Sequence, residues 1–170
     1  LFLTFISFVG LSRLLNAQFT GKQSDWKGFK KTVFKVGEYE AFVVQPKEPA
    51  KDKPWVWRAR FPTYHTEIDE MLLRDGYHVA HVNAGRRLGS PNALKIWKQF
   101  YNLLTNKHGF NKKVVLEGVS RGGLYVYRWA KAYPETVACM YNDTPVCDFK
   151  SWPGGKGVGK GAQGEWKRVM

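Results

Sequence analysis

The sequence predicts an α/β fold, a three-layer α/β/α sandwich around a mostly parallel sheet, on three observations. First, short apolar runs of strand length alternate with stretches whose apolar residues recur every three or four positions. Second, the connections between them are short. A strand–helix–strand unit with short loops returns the chain to the same end of the sheet, which makes neighbouring strands parallel. Third, Gly118-Val119-Ser120-Arg121-Gly122 stands between one such run, Val114-Val115-Leu116, and one such helical stretch from Leu124 to Tyr133. That spacing, in the order strand, turn, helix, exposes a hydroxyl at the end of a sheet.

Residues 32–36 and 40–45 are short β patterns separated by Gly37 and predict an opening hairpin. Residues 46–53 form a charged loop that carries proline. Residues 55–61 alternate apolar and basic side chains, a strand that runs into a loop at Pro62. Thr66 stands where it can cap a helix, with Asp69 three residues on. Ile68, Met71 and Leu72 are the expected buried face, and Gly76 closes the helix after Arg74. Residues 77–82 are the next strand and 83–89 a loop. Ser90-Pro91 opens a second helix, a cap followed by proline at the first helical position. Leu94, Trp97, Tyr101 and Leu104 share one face of it, and Gly109 ends it. Residues 113–117 are the strand before the serine, 121–133 the helix after it, stopped by Pro134, and 136–141 the last strand.

The small residues around Ser120 have a mechanical job. A serine at a sharp strand-to-helix turn sits in a strained backbone conformation, and glycine neighbours let the turn close. The turn also aims backbone N–H groups of a helix N-terminus at any oxyanion formed there. Ser120 is therefore the candidate nucleophile. The plainer alternative is a serine that only caps the helix, a role that needs neither the flanking glycines nor Gly123.

In Pro54 to Phe61, Gly76 to Ala80 and Gly118 to Gly123, with weaker support from Asn142 to Asp148 and Trp152 to Gly155, the chain resembles an α/β-hydrolase. The kind it is similar to is the secreted serine esterase or prolyl-oligopeptidase-like enzyme. The resemblance implies the α/β-hydrolase fold with a nucleophile elbow at Ser120. It implies a carboxylic-ester hydrolase acting through an acyl-enzyme on Ser120, with carbohydrate esters among its substrates and no metal or organic cofactor. A prolyl-oligopeptidase-like peptidase and a non-catalytic glycan-binding module on the same fold are the alternatives. In this family the chain order is serine, acid, histidine. His65, His78, His81 and His108 all precede Ser120. The expectation is therefore a fragment that lacks the C-terminal strands and the catalytic histidine and is inactive alone. Asp143 is the candidate acid, with Asp148 second. The oxyanion hole is expected from the backbone N–H of Arg121 and of Arg60 or Phe61, with His65 in the same loop.

Residues 1–17 predict an incomplete export signal, with an apolar run to Leu11, Leu15-Asn16-Ala17 as a cleavage site and a polar, turn-rich stretch over 18–31 after it. A buried element of the domain is the alternative. The domain proper is expected over 18–150, and 151–170 as a Gly- and Lys-rich loop or the start of an insertion. The product would be secreted or periplasmic, with no membrane contact once the signal is cleaved. The charge of +13 suits an acidic partner or a soluble basic surface alike. No motif points to nucleic acid. Arg86, Arg87 and Arg121 suggest binding of an acidic ester or glycan. Cys139 and Cys147 leave a disulfide and two buried thiols both open.

Overall fold

A computed structural model describes residues 18–169. The expected export signal lies outside the described residues. The chain builds a seven-stranded sheet in the order β1-β2-β3-β5-β4-β6-β7. β1 (Lys22–Trp26), β2 (Phe29–Val36) and β3 (Tyr39–Gln45) form an antiparallel meander. β3 pairs antiparallel with β5 (His78–Val82). β5, β4 (Trp55–Arg58), β6 (Val114–Val119) and β7 (Val137–Asp143) are mutually parallel. The sheet is thus mixed, half of its pairings antiparallel, rather than mostly parallel. The reason is local. The turns at Lys27-Gly28 and around Gly37 are far too short for the crossover that parallel strands need. β1 falls in the stretch expected to be polar and turn-rich. It is an edge strand with four of its five residues exposed, so it carries no apolar alternation to read.

α1 (Glu67–Arg74) joins β4 to β5, α2 (Pro91–Asn102) joins β5 to β6, and α3 (Gly122–Ala132) joins β6 to β7. α4 (Gln163–Val169) lies in the tail expected to be a loop, where Trp166 packs on Phe149 with ring centroids 5.2 Å apart. Ala41 and Val43 belong to one apolar cluster, Phe42 and Val44 to another. Because strand side chains alternate, the two clusters occupy opposite faces of the sheet. α2 and α3 cover the first, and Leu73 of α1 covers the second. Four tryptophans sit in the larger core. Trp57 stacks on Trp97 at 4.1 Å and meets Trp129 edge-on at 4.9 Å, which ties β4, α2 and α3 together.

α2 starts as expected, with Ser90 Oγ accepting from Ala93 N at 3.4 Å and Pro91 following the cap. α1 does not. Thr66 makes no capping hydrogen bond, and its hydroxyl accepts from Lys27 Nζ at 2.7 Å instead. The buried residues are Asp69 and Leu73, while Met71 is 60% exposed. A buried arginine, described below, turns this helix so that Asp69 points inward. Both cysteines are exposed and unpaired: Cys139 lies on β7, the other edge of the sheet, and Cys147 in the loop after it.

Two strand histidines set an acid limit on the fold. His81 is buried, with Nδ1–H donating to Arg58 O at 2.8 Å, and His78 is buried beside Phe110. Burial pushes both pKa values down to about 4, below the ordinary 6.5. The unfolded chain therefore binds more protons than the folded one between these values. Their stabilising contribution is complete above pH 6.5 and is lost as pH falls through 4, about 3 kcal/mol for each histidine. Denaturant unfolding should show His81→Phe losing about 3 kcal/mol less stability than the wild type between pH 6.5 and 4. An equal pH dependence in the two proteins would contradict this assignment.

Candidate active site

β6 ends at Val119, and α3 begins at Gly122, so two residues make the whole turn. Ser120 takes φ +49°, a left-handed conformation that a side chain resists, at a cost of about 1–3 kcal/mol. Bonds on all sides hold it there. Ser120 N donates to Asp143 O at 3.0 Å, and Ser120 O accepts from Gly123 N at 3.0 Å and Val146 N at 2.8 Å. The glycines are spatial requirements. A Cβ at Gly118 would stand 2.4 Å from Asn142 Oδ1 and 2.7 Å from Val126 Cγ2, and one at Gly123 would stand 2.6 Å from Val146 O. Ser120 itself is half-buried rather than packed away. Five of the eight non-glycine residues with positive φ, among those described, are Phe61, His65, Leu88, Ser120 and Thr144. All five lie in loops beyond the carboxyl ends of the parallel strands, so backbone strain gathers at the edge where ligands bind in open α/β sheets.

The loop after β4 runs beside the turn. Ala59 N is taken by Glu117 O at 2.9 Å, which commits that amide to the sheet. Arg60 comes next. Its N lies 3.7 Å, and its Cβ 3.5 Å, from where a Cβ at Gly122 would stand. The first amides of a helix have no intrahelical acceptor, so Arg121 and Gly122 present N–H groups at the same place.

Arg58 holds this loop from inside. Its guanidinium is 1% exposed and donates from Nε to Phe61 O at 3.1 Å, from Nη1 to His65 O at 3.3 Å, and from Nη2 to Tyr64 O. Nη1 also pairs with Asp69 and, at 2.8 Å, with Glu117 Oε1, both carboxyls buried. One cation thus serves two carboxyls. Burial, and then the charge of Asp69, push the Glu117 pKa up to about 8, so Glu117 carries a proton at neutral pH. Burial raises the Asp69 carboxyl as well, and the charge of Arg58 opposes that rise. None of these three was singled out as a site residue from the sequence. The signal was present: Arg58 and Glu117 each sit inside an apolar strand run, where an isolated charge needs a buried partner.

The other expected site residues divide. The Asp143 backbone adjoins Ser120, opposite Val119 in the ladder, and the residue is half-buried. Asp148 is exposed and accepts from Lys150 N and Ser151 N, a local turn role. Arg121 lies between the rings of Phe61 and Trp152. Arg86 pairs with Glu165 of α4. Arg87 turns away, donating to Ala84 O at 3.0 Å and lying 5.2 Å from the Tyr39 ring centroid, so it does not join Arg86 and Arg121. Arg60 stands with them instead: its charge, with that of Arg86, acts on Arg121. No histidine meets Ser120 among the described residues. His78 and His81 are buried in β5, His108 stacks on Phe19 at 3.8 Å, and His65 is exposed against Tyr64.

No protein-family model and no curated protein matches the sequence. Solved structures match the fold. An acetyl xylan esterase from Aspergillus awamori aligns at TM-score 0.52 and 15% identity over 65% of this chain and 50% of its own. A protein from Acinetobacter baumannii described as a lipase aligns at TM-score 0.54 and 16% identity over 70% and 42%. Cfl2 from Burkholderia cenocepacia aligns at TM-score 0.55 and 17% identity over 74% and 46%. The chain thus spans half or less of the length of these structures. Its fold is the α/β-hydrolase fold found in these esterases and lipases.

Proposed function

We propose that this chain carries the nucleophile-bearing part of a serine ester hydrolase. The observation that supports it best is Ser120 held at φ +49° in a two-residue turn, at the sheet edge where the backbone of Arg60 meets the start of α3. In this reading the turn is a nucleophile elbow. Ser120 Oγ attacks the ester carbonyl and gives its proton to a base. The Arg121 N–H, with that of Arg60, stabilises the tetrahedral oxyanion. Phe61 N–H is the less suited donor, because the Arg60 backbone is the part that adjoins Gly122. The alcohol leaves with the proton from the base, and an acyl-enzyme remains on Ser120. Water then attacks that ester and passes a proton to the base, which returns it to Ser120 Oγ as the acid is released.

The base is proposed to be a histidine outside these residues, since all four present are placed elsewhere. Asp143 is the proposed orienting acid, on the strength of its position beside Ser120. The substrate class is a carboxylic ester. The rings of Phe61 and Trp152, which flank Arg121, suit the C–H faces of a sugar and favour a carbohydrate ester. Export stays a separate proposal that rests on residues 1–17. The absence of a histidine beside Ser120 favours one second reading, a non-catalytic glycan-binding module. A fluorophosphonate probe separates them in the full-length protein: the hydrolase is labelled and its Ser120→Ala variant is not, whereas the binding module is labelled in neither form.

A further inference from the structure

A second feature of the same edge names the class of ester, and it rests on Ser120 being the nucleophile. Three guanidinium groups gather there. Arg121 is half-buried, 5.4 Å from the Phe61 ring centroid and 5.6 Å from that of Trp152, and no carboxylate or carbonyl among the described residues accepts a hydrogen bond from it. Arg60 gives Nη1 to Gly85 O at 2.9 Å and lies 5.6 Å from the Phe61 centroid, while its Nε is buried with no acceptor. Arg86 is neutralised by Glu165.

The cluster is unfavourable as it stands. Burial, and then the like charges of Arg60 and Arg86, lower the pKa of Arg121, and no carboxylate acts on it in compensation. A guanidinium resting on aromatic faces is weakly hydrated and keeps its N–H edge open to a planar oxyanion. A carboxylate on the N–H edges of Arg60 and Arg121 would offset the crowded charge.

We propose that Arg60 and Arg121 form a carboxylate-binding subsite beside Ser120, and that the ester cleaved here carries a carboxylate seated on the N–H edges of these two guanidinium groups. Arg86, already paired, takes a lesser part, and Arg87 none.

The test compares two esters of the same length in the full-length protein, the mono-para-nitrophenyl ester of glutaric acid and para-nitrophenyl valerate. The ratio of their kcat/KM values should favour the glutarate ester roughly tenfold or more, as expected for a charged hydrogen-bonded group. That ratio should collapse toward unity in Arg121→Gln and in Arg60→Gln, and shrink with added salt. A ratio unchanged by both substitutions overturns the subsite, while turnover and probe labelling leave the Ser120 reading intact. If neither ester is cleaved and Ser120 is not labelled, the hydrolase reading fails, and calorimetric titration of glutarate decides the subsite alone. Binding weakened roughly tenfold by Arg60→Gln plus Arg121→Gln supports it. No glutarate binding, or binding indifferent to the pair, removes it. Sulfate titrated alongside distinguishes a carboxylate site from a general anion site: sulfate binding as tightly as glutarate overturns the carboxylate assignment.

Discussion

Gly123→Ala should destabilise the protein by about 2–3 kcal/mol, lowering Tm by roughly 5–10 °C, and abolish reaction at Ser120. The new methyl would stand 2.6 Å from Val146 O, 2.7 Å from Pro145 Cβ and 3.0 Å from Val146 N. Two of these atoms are backbone and cannot swing aside. Relief requires the segment after β7 to move, and Val146 N is the group that donates to Ser120 O at 2.8 Å. The clash is therefore transmitted directly to the serine. Gly122→Ala is the control for stability. Its methyl meets only ordinary contacts at 3.5–3.7 Å, and alanine regains about 0.5–1 kcal/mol of helix propensity over glycine. Thermal unfolding of both variants checks the contrast. Equal losses at the two positions would mean that general helix effects, not the close packing of this turn, govern the site.

Arg58→Met should cost more, about 3–5 kcal/mol, because it strands Asp69 and Glu117 in the core without their cation. It also releases the carbonyls of Phe61, Tyr64 and His65, so the loop that carries Arg60 loses its internal anchor. Glu117→Gln should cost about 1 kcal/mol or less, since the carboxyl it replaces is already protonated at neutral pH. The pH dependence separates the two roles. The folded pKa of Glu117, about 8, lies above its ordinary 4.5, so the folded state binds the extra proton between these values. Its contribution is complete below pH 4.5 and is lost as pH rises through 8. His78 and His81 act in the opposite sense below pH 6.5. Asp69, whose carboxyl burial also pushes up, acts in the same sense as Glu117. Charges of Arg58, Asp69 and Asp143 act on Glu117, and that of Lys27 reaches Asp69, so their substitution shifts the alkaline limb as well. In Glu117→Gln the loss of stability from pH 6.5 to 8 should flatten. A slope that persists would show that Glu117 is not the proton carrier.

How much of this was legible in the sequence depended on whether the cause was local. The turn at Ser120 was, because its glycine spacing is itself the steric requirement. α2 was, because its cap, its proline and its apolar face all lie within one segment. The meander was legible only in part. β2 and β3 carry apolar alternation, whereas β1 is exposed at four of its five residues and shows none. The face of α1 was misread because Arg58, a residue of another element, decides which side of that helix turns inward. Arg60 and Arg87 exchanged places for a related reason. The direction of a long flexible side chain is set by its partners, here Gly85 O for Arg60 and Tyr39 and Ala84 O for Arg87, and those partners are not neighbours in a sequence pattern.

The most direct test of the central claim is to locate the fluorophosphonate adduct by peptide mass spectrometry in the full-length protein. A single adduct on the peptide that contains Ser120, absent from Ser120→Ala, is the expected result. An adduct on any other serine, or labelling that survives the substitution, would contradict the assignment of Ser120 as the nucleophile.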